Sequence, residues 1–348
     1  MKLPSRGVWR WGIGLGIGLP CAALLSVAGF AWYYGFSLGS GLVHSIEFHR
    51  TVESNPQLLD FAGQRVTWMG DIENRDLSES SGLAASNLLD DVLWSMNDSG
   101  SRAEIYAMAT NGEHLGAWLV DMPKPTDWEA MDSFVLDGVA YLLIADVGDN
   151  LRWRPELSFV VVREPDLTST DILPVAWQLS YRYPDGYRDC EAVAVDAENS
   201  EVLLLSKRRQ PNEMFSVPLK SATNATVTAT KLVELSDLPR PTELDSRMDP
   251  DNWEYVHMPS GMDLAGNRLL LTTYKDAFLY RRDALEQAPL RIRLPSLGQR
   301  EAIAFARGRD DVAYITKERK EGITIADIFM IELPASGQTL GAVSLSEQ

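Results

Sequence analysis

Carboxylates recur at one fixed place in this chain, the head of a short apolar segment. Glu129-Ala130-Met131, Glu191-Ala192-Val193 and Glu301-Ala302-Ile303 each open such a segment, and Ser81-Gly82-Leu83 and Ser260-Gly261-Met262 open two more. A polar cluster follows each opening by about sixteen residues: Asn97-Asp98, Asp146 with Asp149-Asn150, Lys207-Arg208, Tyr274-Lys275-Asp276 and Lys317-Glu318. Oxygen-bearing side chains converging from several segments suit a hard divalent cation, and calcium takes roughly six to eight of them. The expected calcium ligands are Glu129, Glu191, Glu301, Asp149, Asn150 and Asn97.

The same spacing supports a plainer reading, in which Glu191 pairs with Lys207 and Glu301 with Lys317 to tie their hairpins together. Both readings can hold at once, because the Glu129 segment has no lysine at the matching place. A third reading puts an anionic ligand beside the metal. Arg152, Arg154, Arg188, Lys207 and Lys275 would bind it, since arginine forks fit phosphate or carboxylate and a metal polarises the bond to be broken. For catalysis the candidates are Glu129, Glu191 and His257, the last as a general base. Of the four histidines (His44, His49, His114 and His257), no two have metal-ligand spacing. Gly-x-Ser-x-Gly and phosphate-cradling glycine loops are absent, and Asp146-Val147-Gly148-Asp149-Asn150 lacks the distal glutamate of a calcium loop.

What must position these groups is a repeat. Val92-Leu93-Trp94, Ala140 to Ile144, Val202 to Leu205, Leu269-Leu270-Leu271 and Val312 to Ile315 are short apolar runs, each preceded by a turn signal such as Asp137-Gly138 or Gly266-Asn267. Runs of this length bounded by turns read as strands buried on both faces. A third strand follows each (Ile105-Tyr106, Phe159-Val160, Met214-Phe215, Phe278 to Tyr280, Ile328-Phe329), and several repeats add a fourth (Val175 to Tyr183, Ala225 to Leu235, Leu290 to Leu294). Four antiparallel strands repeated radially make a propeller blade. The fold class is therefore all-β, a propeller of five four-stranded blades. Residues 65–72 supply a strand able to complete the last blade. Ser236 to Pro259 reads as a long loop or, alternatively, a degenerate sixth blade.

Before the propeller, Lys2, Arg6 and Arg10 precede an uncharged run from Trp11 to about Val43. This is longer than a signal-peptide core and long enough to span a bilayer. The expected organisation is a cytoplasmic tip and transmembrane signal anchor over 1–43, a linker over 44–76, the propeller over 77–335 and a tail over 336–348. The positive flank places the N-terminus in the cytoplasm and the propeller beyond the bacterial inner membrane, in the periplasm or outside the cell. A net charge of −17 argues against nucleic acid as a partner. A membrane, a small anionic molecule or an envelope protein remains. The two cysteines, Cys21 and Cys190, cannot bridge within the propeller, so packing alone must hold it.

Several strings together carry a family likeness: Trp94-Ser95-Met96-Asn97-Asp98-Ser99-Gly100, Asp127-Trp128-Glu129-Ala130-Met131, Ala145-Asp146-Val147-Gly148-Asp149-Asn150, Asp189-Cys190-Glu191-Ala192, Ser206-Lys207-Arg208 and Arg300-Glu301-Ala302-Ile303. Over roughly residues 78–333 the chain resembles an uncharacterised family of exported bacterial β-propellers. More distantly it is similar to phytase-like esterases and to calcium-dependent phosphotriesterase or lactonase propellers. That likeness implies a calcium ion in the central channel and ester or phosphoester hydrolysis. The chain departs from the lactonase pattern in its first tag, Ser81-Gly82-Leu83, and in lacking a partnered histidine dyad. The alternative is a noncatalytic envelope scaffold that binds a ligand or protein at the same place.

Overall fold

A computed structural model describes residues 59–60, 66–98, 100–169, 172–222, 225–248, 253–294, 300–317 and 326–335. The first two strands, β1 (Leu59–Asp60) and β2 (Val66–Asp71), join sheets formed by the end of the chain. Blade one is β3 (Ser80–Ala85), β4 (Val92–Asn97), β5 (Glu104–Ala109) and β6 (His114–Leu119). Blade two is β7 (Trp128–Leu136), β8 (Val139–Asp146), β9 (Leu157–Arg163) and β10 (Val175–Arg182). Blade three opens with β11 (Cys190–Asp196), β12 (Glu201–Ser206) and β13 (Asn212–Pro218). The expected single strand from Ala225 to Leu235 is divided in two. Its first part, β14 (Val227–Thr228), pairs parallel with β10 of blade two, and β15 (Thr230–Leu235) completes blade three. Blade four is β16 (Gly261–Ala265), β17 (Arg268–Thr272), β18 (Asp276–Arg281) and β19 (Leu290–Arg293), with β1 alongside β19. Blade five is β20 (Arg300–Phe305), β21 (Val312–Lys317), β22 (Asp327–Glu332) and, from the other end of the chain, β2.

The apolar runs are apolar throughout because both faces of each blade are covered. Along β12, Val202 and Leu204 enter the core between blades two and three, while Leu203 and Leu205 enter the core between three and four. Each of the five apolar cores lies between two neighbouring blades, and blade five packs on blade one around Leu83, Tyr106, Ala304 and Ile328. Burying one such aliphatic side chain is worth about 1.5–3 kcal/mol, so the ring is held by many small increments. Turn chemistry sets the hairpins. Asp137 and Gly138 both have positive φ (52° and 77°), as a two-residue turn between β7 and β8 requires. Close approach selects glycine elsewhere: a Cβ on Gly82 would sit 2.6 Å from the backbone nitrogen of Met131 in the next inner strand.

Ring closure follows the expectation for residues 65–72. β2 runs antiparallel to β22 from Val66↔Ile331 to Asp71↔Asp327, covering an edge that would otherwise expose unpaired backbone groups. Five sheets form among the described residues, and the stretch from Ser236 to Pro259 contributes no sixth. It holds instead a short helix, α1 (Glu243–Met248), whose start is fixed by reciprocal bonds between Thr242 and Asp245. Six residues are too few to show helical periodicity in the sequence. The expected anchor over 1–43 and the tail over 336–348 lie outside the described residues. Among the described residues, no helix is long and apolar enough to cross a membrane.

Core packing of this kind predicts a sharp contrast between two leucines. Leu204→Ala, in the core between blades two and three, should lower unfolding free energy by about 2–5 kcal/mol. Leu232→Ala, on an exposed strand position, should change it by less than about 0.5 kcal/mol. Denaturant titrations of the two variants check this.

Candidate functional site

Four inner strands carry a β-bulge at the tag position. On β3 the pairing steps from Ser80↔Asn97 to Gly82↔Met96, which leaves Ser81 unpaired. The same step leaves out Glu129 on β7, Glu191 on β11 and Glu301 on β20. A bulge bends the strand and re-aims the extra residue. Here all four bulged residues line one cavity of about 260 Å³ at the channel mouth. Among the described residues β16 shows no bulge. Its pairing with β17 runs regularly from Gly261↔Thr272, and blade four reaches the mouth through Tyr274.

The floor of the mouth is acidic. Carboxylate oxygens of Asp98, Asp127 and Glu129 all lie within 4.8 Å of one another. Burial pushes Glu129 well above the usual glutamate value, and the neighbouring Glu191 and Asp98 push it further. Asp127 is raised to about 7 by burial and by Asp98, with which it shares a hydrogen bond. Across the cavity Lys207 is ion-paired with Glu191. Burial would lower its pKa, but Glu191, Asp189, Glu301 and Glu129 outweigh that and hold the ammonium above its ordinary value. The second oxygen of Glu191, Oε2, is buried and has no hydrogen-bond partner among the described residues.

Two tyrosines and an arginine form the rim. Tyr274 O–H donates to Glu301 Oε1 at 2.8 Å. Arg208 donates through Nε to Asp189 at 2.5 Å and through Nη2 to Asn150, and its guanidinium lies 5.6 Å from the Tyr255 ring centroid. Asp189 is ionised there: burial would raise its pKa, but Arg208 and Lys207 hold it below the usual aspartate value.

Of the expected site residues, Glu129, Glu191, Glu301, Asn150 and Lys207 therefore meet at the mouth. Others are engaged elsewhere. Asn97 Oδ1 accepts from the Ser78 and Glu79 N–H groups and its Nδ2 donates to the Asp76 carbonyl, so its amide holds the preceding loop; Asp98, one residue on, faces the acidic cluster instead. Asp149 accepts from the Trp153 and Arg154 N–H groups and caps its own turn. Arg154 is bonded to Asp146 and to the Gly148 carbonyl. Arg188 is buried against Tyr183 and Phe215 and paired with Glu213 and Asp185. Arg152 lies near Arg208, half-buried and outside the cavity lining. Lys275 pairs with Asp245. His257 is buried with Nε2 3.2 Å from Asp245 and Nδ1 3.9 Å from Asp276, fastening the long loop rather than facing the channel. The expected Glu301–Lys317 pair gives way to Tyr274–Glu301, and Lys317 lies 3.8 Å from Asp327.

Asp98, Asp127, Ser81, Tyr255 and Tyr274 complete the mouth without having been expected as ligands or binding residues. Asp98 and Asp127 stand beside positions that were named, and only the strand register decides which neighbour turns inward.

Removing one side of the Lys207–Glu191 pair strands a buried charge, so Lys207→Met should destabilise the protein by about 3–5 kcal/mol. The double variant Lys207→Met/Glu191→Leu should recover most of that loss. Equilibrium unfolding of the two variants measures it.

No family model matches the chain, and no curated protein matches it. Among solved structures it is similar to a luciferin-regenerating enzyme, at 10% identity over 78% of this chain and 98% of that one, with a TM-score of 0.43. A gluconolactonase from Xanthomonas campestris gives 10% identity over 82% and 100%, with a TM-score of 0.39. A chain of a nidogen/laminin complex gives 11% identity over 78% and 100%, with a TM-score of 0.40. At this distance the likenesses carry nothing about reaction or ligand. Among its described residues, the chain is an all-β, five-bladed propeller.

Proposed function

We propose that this chain is a calcium-binding propeller whose mouth serves hydrolysis of a small polar ester or phosphoester. One observation carries the reading: the Asp98, Asp127 and Glu129 oxygens lie within 4.8 Å of one another beside a buried Glu191 oxygen with no hydrogen-bond partner among the described residues. Oxygen donors alone, from several segments, match a hard cation's preference. Asp98, Asp127, Glu129 and the free oxygen of Glu191 would hold the ion. A bound calcium would polarise the ester or phosphoryl oxygen. Lys207 sets the positive charge on the facing wall and keeps Glu191 turned toward it. Tyr274 orients Glu301, and the Tyr255–Arg208 contact shapes the rim. The N-terminal apolar run would tether the propeller at the outer face of a bacterial inner membrane.

A noncatalytic binding module is the second reading, favoured by the position of His257. The histidine expected as a general base is buried against Asp245, away from the mouth.

Calcium titrated calorimetrically into the full chain in detergent should bind at one site, and Glu129→Gln should weaken it at least tenfold. Calcium at about a hundredfold over its Kd should add about 2.7 kcal/mol to stability. Absence of binding would end the metal reading. A screen of esters, lactones and phosphoesters with and without calcium separates the two functions, because turnover lost in a folded Glu191→Gln protein excludes the binding module.

A further inference from the structure

A second pair of carboxyls lies deeper in the channel, three residues beyond the tag position on two non-adjacent inner strands. These are Asp132 on β7 and Asp263 on β16. The other three inner strands have buried alanines at the matching place, Ala84, Ala194 and Ala304. The two carboxyls stand within interaction reach of each other. Both also line a cavity of about 430 Å³ that opens beneath blades one, two, four and five.

Each carboxyl is also bound to backbone on two strands. Asp132 accepts from its neighbour Ser133 N–H and from Val195 N–H of blade three, both at 2.6 Å. Asp263 accepts from Leu264 N–H and from Phe305 N–H of blade five, again both at 2.6 Å. Four backbone donors thus meet four carboxyl oxygens, and the remaining carboxyl–carboxyl contact requires a hydrogen. Two carboxylates cannot bond to each other without a proton between them.

We propose that Asp132 and Asp263 share one proton across the channel and act as a pH-sensitive clasp, joining blades two and three to blades four and five. Other charged groups near the pair stand on the rim of the same cavity with partners of their own: Arg307 with Asp90, Arg309 with Asp311, and Asp310 with Arg268. Asp196, next to Val195 on β11, is turned away to Arg282. The pair therefore titrates mainly through itself, as one coupled unit. Enclosure in the channel, reinforced by the facing carboxyl, raises Asp132 well above 3.8, and enclosure raises Asp263 to about 6. Groups raised in the folded state contribute stability that is complete below the ordinary aspartate value. That contribution declines as pH climbs from the ordinary aspartate value through the folded values, so the clasp is complete in acid and loosens progressively above about pH 4.

The test is the pH dependence of equilibrium unfolding of the full chain in detergent, from about pH 4 to about pH 9, compared with Asp132→Asn and Asp263→Asn. Chelating or saturating calcium in parallel series keeps the mouth carboxyls the same in every protein. The clasp predicts that wild type loses up to about tenfold per pH unit in its folding constant relative to each variant, over the range where the shared proton leaves. Curves that run parallel for both variants overturn it. Should an Asn variant fail to fold, hydrogen exchange of wild type decides. The Val195 and Phe305 amides should lose protection with rising pH relative to the Leu204 amide, after correction for intrinsic exchange, and unchanged relative protection overturns the clasp equally.

Discussion

A residue left out of the ladder at the head of an inner strand is pushed toward the channel, because its neighbours before and after keep their places in the sheet. That displacement recurs at Ser81, Glu129, Glu191 and Glu301, and the mouth is built from what it displaces. The bulges work only because the strands behind them are immovable. β4, β8, β12 and β21 are packed on both faces, so an irregularity in the inner strand cannot relax outward. Acidic side chains are thereby held near one another in a way that free loops would not tolerate.

The mouth manages this repulsion unevenly. On the wall formed by blade three, Lys207 and Arg208 neutralise Glu191 and Asp189. On the wall formed by blades one and two, Asp98, Asp127 and Glu129 face one another, and burial together with the neighbouring negative charge favours the protonated forms of Asp127 and Glu129. One side is thus a closed set of ion pairs and the other an incomplete one, which is where a cation has something to add.

Much of the architecture was legible in the sequence. Doubly buried strands must be apolar throughout and must end at turns, so the period, five blades and the closing strand near residues 65–72 could be read directly, while a sixth blade over Ser236 to Pro259 stayed open until the helix there was seen. The site was legible only in outline. Residue type and spacing brought Glu129, Glu191, Glu301 and Lys207 to one end of the ring. They could not say that the Asn97 amide would be drawn into bonds with its own loop, or that Arg188 would be buried with Glu213. A polar side chain satisfies whichever partner lies nearest, and for loops those partners are fixed by register rather than by period. His257 illustrates the same limit: its partner Asp245, which also holds Lys275, comes from a short helix with no periodic signature.

The ladder between β2 and β22 has a consequence in time. Val66 is among the first residues of the propeller to be synthesised and Ile331 among the last, yet they face each other in one sheet. Blades one to four can form and stack as the chain emerges, each covering the apolar face of the one before. Blade five cannot close until the whole propeller sequence exists, so the late step of folding is a single long-range pairing, the kind that is intrinsically slow. Until it forms, the Leu83 and Tyr106 face of blade one and the outer edge of β22 are open together. The nascent protein is then a half-open ring most exposed at the seam that finally seals it.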